Sequence, residues 1–168
     1  KQKFSYGMIE ASIKLPAQKP LWPAFWLYSY PFEIDILELI GCKYNKIHTN
    51  IHYWLKATSD NNILIDKCTS CAKNYRIKLN DNRFHTYKMI WDSAKVEIYI
   101  DKKKIITHYK YYSIKNKKPI KDINLLKPNE KYLVNKNIPT IPLNIIFNTA
   151  VNNNPKCNIE TNKYTFPS

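Results

Sequence analysis

The sequence predicts an all-β protein, an antiparallel β-sandwich. Short runs rich in Ile, Val, Tyr, Phe and Trp recur along the 168 residues, with turn residues between them, whereas helical periodicity is scarce. Polar and apolar residues alternate within several of these runs, as in strands that bury one face. Many short strands joined by long loops favour two packed antiparallel sheets.

The strands follow one another along the whole chain. They are predicted at residues 4–15, 24–29, 32–39, 47–55, 74–77, 85–91, 95–100, 103–109 and 143–147. Asp101-Lys102 is the predicted hairpin turn between two of them. Residues 129–142 are predicted as a loop, because this segment is polar and contains prolines.

Length and composition suit one domain over residues 1–168, with 44% hydrophobic and 14% aromatic residues. The apolar run at residues 21–30 is shorter than the roughly 20 residues that a membrane span needs. No signal peptide is recognisable in this sequence. We therefore expect a chain with a hydrophobic core and no membrane span.

The net charge of +14 suggests a polyanionic partner such as a nucleic acid. However, Arg76 and Arg83 are the only arginines, and bidentate recognition of phosphate or sulfate favours Arg over Lys. We interpret the scattered lysines mainly as a solvated surface and expect no nucleic-acid partner.

The four cysteines do not predict a metal site. Cys68 and Cys71 have metal or redox spacing, but Cys42 and Cys157 do not form the second close pair that structural zinc requires. A redox pair is expected to open a helix after a strand, whereas this pair lies in a Lys/Asn/Ser-rich segment. Disulfides or free thiols are favoured over zinc, with the pairing left open.

Three acidic residues in one apolar, strand-like run are the strongest functional signal. They occur in Glu33-Ile34-Asp35-Ile36-Leu37-Glu38, although strands disfavour acids and like charges on one face repel. Glu33 and Asp35 share a face, whereas Glu38 has the opposite parity. A β-bulge between Asp35 and Glu38 would bring all three to one side. The two glutamate carboxyls would then lie about 5–6 Å apart, as in a retaining glycosidase.

Carboxyls this close cannot all ionise easily, so their pKa values are expected to diverge. One glutamate would stay ionised and attack an anomeric carbon, while the other would keep its proton for the leaving oxygen. A calcium or magnesium site and an exposed acidic edge are the alternatives. Calcium prefers loops that supply carbonyl ligands, so the apolar strand favours catalysis.

A second polar surface is predicted on the strand at residues 47–55. Alternation places one set of side chains on one face and Thr49, Ile51 and Tyr53 on the other. Two histidines, an asparagine and a tryptophan on one face are unusual for a core and predict the floor of a polar, aromatic groove. A solvated strand face is the alternative. The set consists of His48, Asn50, His52 and Trp54.

Four stretches occur in the order seen in a known enzyme family. They are residues 4–16, residues 21–27, the acidic motif at 33–38, and residues 84–92 followed by 97–101. With these stretches the chain resembles glycoside hydrolase family 16, the laminarinase, agarase and carrageenase group. The resemblance covers most of the chain.

The resemblance implies a concanavalin-like β-jelly roll with a concave substrate cleft. It implies that Glu33 is the nucleophile, Asp35 its helper and Glu38 the general acid/base. The bulged branch of the family, which contains β-1,3-glucanases and marine galactanases, has one extra residue between the last two acids. This chain resembles that branch, and its extra residue between Asp35 and Glu38 is either Ile36 or Leu37.

Aromatic and polar residues around the motif are then expected to bind sugar. The tryptophans are candidate platforms, because the C–H face of a pyranose packs on an aromatic ring. A core position is the alternative for Trp26, and His85 is expected to be structural. The platform residues are Trp22, Trp26 and Trp54, and the hydrogen-bonding residues are His48, Asn50 and His52.

The function implied is retaining endo-hydrolysis of β-1,3 or mixed β-1,3/1,4 glucan by a protein that is secreted, periplasmic or held at the cell surface. Hydrolysis of marine galactans (carrageenan, agar or porphyran) and non-catalytic β-glucan binding are alternatives. We expect a polysaccharide substrate, a monomer and no required cofactor. The structural calcium of the family is not expected here.

The chain also departs from the family pattern. The family's early strand carries Arg where this chain has Ser12, and its late strand ends in a Gly pair where this chain has Asn152-Asn153. The family's terminal strands are expected to be missing from this sequence. Missing edge strands would leave unpaired backbone groups and exposed core.

Overall fold

A computed structural model of the chain describes residues 3–16, 21–39, 46–56, 64–66, 73–76 and 82–151. Within these ranges the backbone forms thirteen strands, and a single-turn 3₁₀ helix spans Ile123–Leu125. Every strand pair is antiparallel. No helix in these ranges is long and apolar enough to cross a membrane. The predicted all-β class is confirmed.

The strands vary from two to eleven residues in length. They are β1 Lys3–Phe4, β2 Gly7–Ile13, β3 Leu21–Ser29, β4 Phe32–Glu38, β5 Lys46–Lys56, β6 Leu64–Asp66, β7 Lys73–Arg76, β8 His85–Trp91, β9 Lys95–Ile100, β10 Lys103–Tyr109, β11 Tyr111–Ser113, β12 Tyr132–Val134 and β13 Leu143–Val151.

Two main sheets make up the sandwich. The larger sheet has seven strands in the order β1-β13-β3-β4-β5-β6, and β7 also pairs with β5. The smaller sheet has four strands in the order β10-β9-β8-β2, and β11 pairs separately with β12. Strand β4 is thus central in the larger sheet, with β3 and β5 on either side.

The hydrophobic core lies between the two main sheets. Leu27, Ile34 and Ile51 of the larger sheet are fully buried, as are Met89 and Trp91 of the smaller sheet. These residues belong to one contiguous cluster, as expected for sheets packed face to face. Because side chains alternate along each strand, the opposite face of the larger sheet is left for polar groups.

The first predicted strand, residues 4–15, is in fact two strands in different sheets. β1 pairs with β13 in the larger sheet, whereas β2 pairs with β8 in the smaller sheet. Tyr6 and Gly7 have φ values of 50° and 121°, in the region that only glycine adopts readily. This backbone reversal redirects the chain, so the prediction of one continuous strand was wrong.

The prediction of a loop over residues 129–142 was also wrong in part. This segment contains β12, which pairs with β11. Pro128, Pro139 and Pro142 lie outside the paired residues, so the composition of the segment concealed a three-residue strand. β6 and β11 were likewise not predicted. The four cysteines and residues 152–168 lie outside the described residues.

The hairpin between β9 and β10 turns at Asp101 and Lys102, as predicted. Both residues have positive φ, 47° and 65°, as in a type I′ turn. The Asp101 carboxylate accepts hydrogen bonds from the His85 ring at 2.6 Å and from the Thr86 backbone N–H at 2.9 Å. His85 therefore makes a structural contact that ties this turn to the start of β8.

Replacing Lys102 with Gly is expected to stabilise the protein by about 0.5–1 kcal/mol, because a left-handed conformation costs a residue with a Cβ about 1–2 kcal/mol. The matched change Asp101→Gly removes the acceptor for His85 and Thr86 and is expected to destabilise. Urea unfolding of the three proteins measures both effects. A Lys102→Gly variant less stable than the parent would contradict the prediction.

Candidate active site

A β-bulge in β4 organises the acidic cluster. Asp35 is opposite Asn50 of β5 and Glu38 is opposite His48, so two residues of β4 face only Thr49 between them. On the other side, β3 pairs with Asp35 and Leu37 but skips Ile36. The predicted bulge is confirmed, and Ile36 is the extra residue.

The register aligns the three acids with residues of the neighbouring strands in three rows. Each acid has one neighbour from β3 on one side and one from β5 on the other. The predicted groove face of β5 therefore lies directly beside the acids. The rows, read from β13 through β3 and β4 to β5, are Asn144-Tyr28-Glu33-His52, Ile146-Trp26-Asp35-Asn50 and Asn148-Ala24-Glu38-His48.

The acids lie in an open pocket of about 190 Å³. Two predicted sugar platforms, Trp22 and Trp26, line it together with the acids, so Trp26 lies on the groove side and not in the core. The pocket is formed by Trp22, Ala24, Trp26, Glu33, Asp35, Glu38, Asn148 and Ala150.

Asp35 is almost completely buried, with 1% of its surface exposed, and its carboxylate contacts the His52 ring. His52 Nε2 lies 2.9 Å from Asp35 Oδ2, 3.7 Å from Glu33 Oε1 and 2.8 Å from the side-chain nitrogen of Asn50. When Nε2 carries a proton it donates to Asp35, and when it is unprotonated it accepts from Asn50. The tautomer of His52 thus determines whether Nε2 bonds to Asp35 or to Asn50.

Glu38 has a strongly perturbed pKa. Burial raises it from 4.5 to about 8, and the charges of Asp35 and Glu33 act in the same direction. His52 and the indole N–H of Trp22 oppose the rise. The Trp22 Nε1 atom is buried, yet it makes no hydrogen bond of normal geometry within the described part of the chain. Glu38 therefore keeps its proton at neutral pH.

Glu33 is held by the tryptophan at the far end of the β5 groove face. The Trp54 Nε1–H donates to Glu33 Oε2 at 3.0 Å. The Trp54 ring stacks on His52, with centroids 5.0 Å apart and planes 12° apart. The edge of this indole thus contacts Glu33, while one of its faces is covered by the imidazole.

Asn148 was not predicted as a site residue. Its Oδ1 accepts a 2.7 Å hydrogen bond from Trp26 Nε1, and it lines the pocket. The strand predicted at residues 143–147 stopped too early, since β13 continues to Val151. If the predicted strand had been continued past residue 147, its alternation would have placed Asn148 on the groove face.

The described residues contain one group with metal-ligand spacing. Glu33, Asp35 and His52 offer three ligand atoms within 4.8 Å of one another. One imidazole nitrogen and two carboxylates suit a transition metal better than calcium, which prefers oxygen ligands alone. His52 Nε2 already contacts both carboxylates, and Trp54 donates to Glu33.

The fold and the site together define a β-sandwich protein with paired carboxylates in an aromatic groove. Residues 1–127 match the family model described as Glycosyl hydrolases family 16. The chain belongs to this family, as the sequence resemblance indicated.

Individual relatives extend this result. The chain is similar to endo-1,3-1,4-beta-glycanase ExsH of Rhizobium meliloti (strain 1021), with 28% identity over 101 residues, which is 58% of this chain and 20% of that protein. A family 16 endo-glucanase from Bacteroides ovatus, solved with G4G3G-2F-DNP, has a TM-score of 0.61 and 28% identity over 90% of this chain and 58% of that one. The laminarinase from Flavobacterium sp. UMI-01 has a TM-score of 0.60 and 28% identity over 92% and 59%. The chain thus spans less than two thirds of each of these relatives.

The raised pKa of Glu38 predicts a pH-dependent stability. Between the unfolded value of 4.5 and the folded value of about 8, the folded protein keeps a proton that the unfolded chain has released. The contribution of Glu38 to the free energy of unfolding is therefore expected to fall as pH rises through this window. Glu38→Gln removes this contribution, so its stability relative to the parent is expected to increase with pH.

Urea unfolding at pH 5, 6, 7 and 8 measures the difference between the two proteins. Glu10→Gln, which changes an exposed glutamate of the smaller sheet, is the matched control and is expected to follow the parent. If the free energy of unfolding of Glu38→Gln changes with pH in parallel to that of the parent, the raised pKa of Glu38 is contradicted.

Proposed function

We propose that the protein is a retaining endo-β-glucanase that hydrolyses β-1,3 or mixed β-1,3/1,4 glucan by double displacement. The observation that carries the proposal is that Glu38 shares one pocket with Glu33 and Asp35, where burial and the two neighbouring charges raise its pKa. A glycosidase needs one carboxyl that donates a proton and one carboxylate that attacks, and their environments must keep these roles apart.

In the first step, Glu38 gives its proton to the glycosidic oxygen while Glu33 attacks the anomeric carbon. The bond from that carbon to the leaving oxygen breaks, and a covalent glycosyl ester forms on Glu33. In the second step, the Glu38 carboxylate takes a proton from water, the resulting hydroxyl oxygen attacks the anomeric carbon, and the ester bond to Glu33 breaks. Both glutamates return to their starting states.

Asp35 helps to keep the role of Glu38 as acid distinct from the role of Glu33 as nucleophile. Its charge is one cause of the raised pKa of Glu38, so it favours the protonated acid before the first step and reprotonation in the second. The His52 ring contacts Asp35 at 2.9 Å and holds this buried carboxylate in place. We therefore assign Asp35 as the helper of the catalytic pair.

Trp22 and Trp26 are proposed as sugar platforms beside the acids, because both line the pocket. Hydrogen bonds to the sugar hydroxyls are assigned to the polar face of β5, which comprises His48, Asn50 and His52. The choice of glucan is supported by the names of the similar proteins, an endo-1,3-1,4-beta-glycanase and a laminarinase. A polymeric substrate of this kind favours a location outside the cytoplasm.

A sulfated galactan is the second candidate substrate, and the observation that favours it is the net charge of +14. Such a charge attracts a polyanion at long range, and this attraction weakens as salt rises. Digestion of laminarin, mixed-linkage glucan, agarose and carrageenan, followed by product analysis, distinguishes the two. If the protein cleaves carrageenan alone, with strong salt dependence, a sulfated galactan replaces glucan as the proposed substrate.

Glu33→Gln is expected to abolish hydrolysis while leaving glycan binding largely intact, because the amide keeps the shape of the side chain but cannot attack the anomeric carbon. Reducing-sugar release and binding calorimetry with a laminarin oligosaccharide measure the two properties. Full activity of Glu33→Gln would exclude Glu33 as the nucleophile. Binding without cleavage by the parent protein would favour a non-catalytic glucan-binding role.

The pH profile of hydrolysis is expected to fall on its basic side near pH 8, because Glu38 must be protonated to donate to the leaving oxygen. Initial rates between pH 4 and 10 measure this limb. An activated aryl glycoside, whose leaving group needs little protonation, is the control. A basic limb that is equally steep for both substrates would assign the limb to another group.

A further inference from the structure

The tryptophans of the groove differ in what their indole N–H groups contact. Trp26 donates to Asn148 at 2.7 Å, and the Trp22 N–H acts on Glu38, although it makes no hydrogen bond of normal geometry within the described residues. Trp54 donates to Glu33 Oε2 at 3.0 Å. Of these three side chains, Trp54 is therefore the one whose polar edge is directed at the predicted nucleophile.

We propose that Trp54 is a positioning residue for Glu33, and that its indole N–H holds the carboxylate in the orientation needed for attack. This role rests on the proposed function. It is compatible with the predicted use of Trp54 as a sugar platform, because hydrogen bonding occurs at the edge of the ring and not at its face.

The donor itself is held firmly by its surroundings. The Trp54 backbone N–H donates to the Pro31 carbonyl at 2.7 Å, and Trp54 pairs with Asp66 of β6. Its ring stacks on His52, which in turn contacts Asp35 at 2.9 Å. Backbone pairing, ring stacking and the Glu33 contact together leave the indole little freedom to rotate.

A rigid donor has a specific effect on a glutamate nucleophile. The terminal torsion of a glutamate is broad, so a free carboxylate samples many orientations, and fixing one of them removes part of the entropic barrier to attack. The indole N–H is a donor only and does not titrate, so it favours the ionised carboxylate over the neutral acid. Both effects support attack by Glu33.

The contact is tested first without any reaction. The chain has four tryptophans, so a ¹H–¹⁵N spectrum contains four indole signals that single Trp→Phe changes assign. Glu33→Gln replaces a charged acceptor by a neutral amide and is expected to move the Trp54 signal upfield. The Trp26 signal, whose acceptor is Asn148, is expected to stay in place. A Trp54 signal that does not respond to Glu33→Gln would overturn the proposal.

Kinetics of Trp54→Phe then test the positioning role, because phenylalanine keeps a ring against His52 but removes the N–H donor. The expected result is a 10- to 100-fold loss in kcat, roughly the effect of a hydrogen bond to a charged group, with KM changed less than about twofold. The acidic limb of the kcat/KM profile is expected to move to higher pH, because the carboxylate loses a donor that stabilises its charged form.

Trp26→Phe is the matched control. It also removes an indole N–H from the groove, yet it is expected to leave the acidic limb in place. A Trp54→Phe loss confined to KM, or an unmoved acidic limb, would overturn the positioning role. If the parent cleaves no polysaccharide, the proposed function fails, while the indole spectra still decide whether Trp54 holds the Glu33 carboxylate.

Discussion

The arrangement of the site depends on one extra residue in the central strand of the larger sheet. Without the bulge at Ile36, strict alternation would direct Glu38 into the core and away from Glu33. With the bulge, Ile36 and Leu37 are both buried and Glu38 returns to the groove. One local irregularity therefore allows three acids on one face and a continuous apolar layer on the other.

Crowding three carboxyls on that face has an electrostatic cost that shapes their chemistry. The cost is limited because Glu38 remains protonated, as its pKa of about 8 indicates. The other two acids have partners, because the His52 ring contacts Asp35 and the Trp54 N–H donates to Glu33. The two glutamates thus differ in their surroundings: burial and neighbouring charges raise the pKa of Glu38, whereas Glu33 accepts a hydrogen bond from Trp54.

The core opposite the groove holds these groups in place. Leu27, Ile34 and Ile51 of β3, β4 and β5 are fully buried against Met89 and Trp91 of the smaller sheet. The strands that carry the acids and the β5 groove residues cannot move independently while this layer is packed. The groove therefore has a rigid floor beneath its three acids.

Local sequence patterns predicted much of the fold and of the site. Strands β8, β9 and β10 have the predicted bounds, because each is a strong β-branched and aromatic run between turn residues. Parity placed the β5 groove face correctly and required the bulge in β4. Short strands such as β12 escaped prediction, since three residues in a polar, proline-containing segment carry too little pattern.

The sequence by itself determined the all-β class, the acidic motif and the sides of the strands on which its residues lie, because these follow from alternation within single strands. Only the tertiary structure decided which side chains meet across strands. It showed the change of sheet at Tyr6-Gly7, the contact of Asn148 with Trp26, and the bond from Trp54 to Glu33. The last two contacts join residues 122 and 21 positions apart, and only strand register and packing bring such residues together.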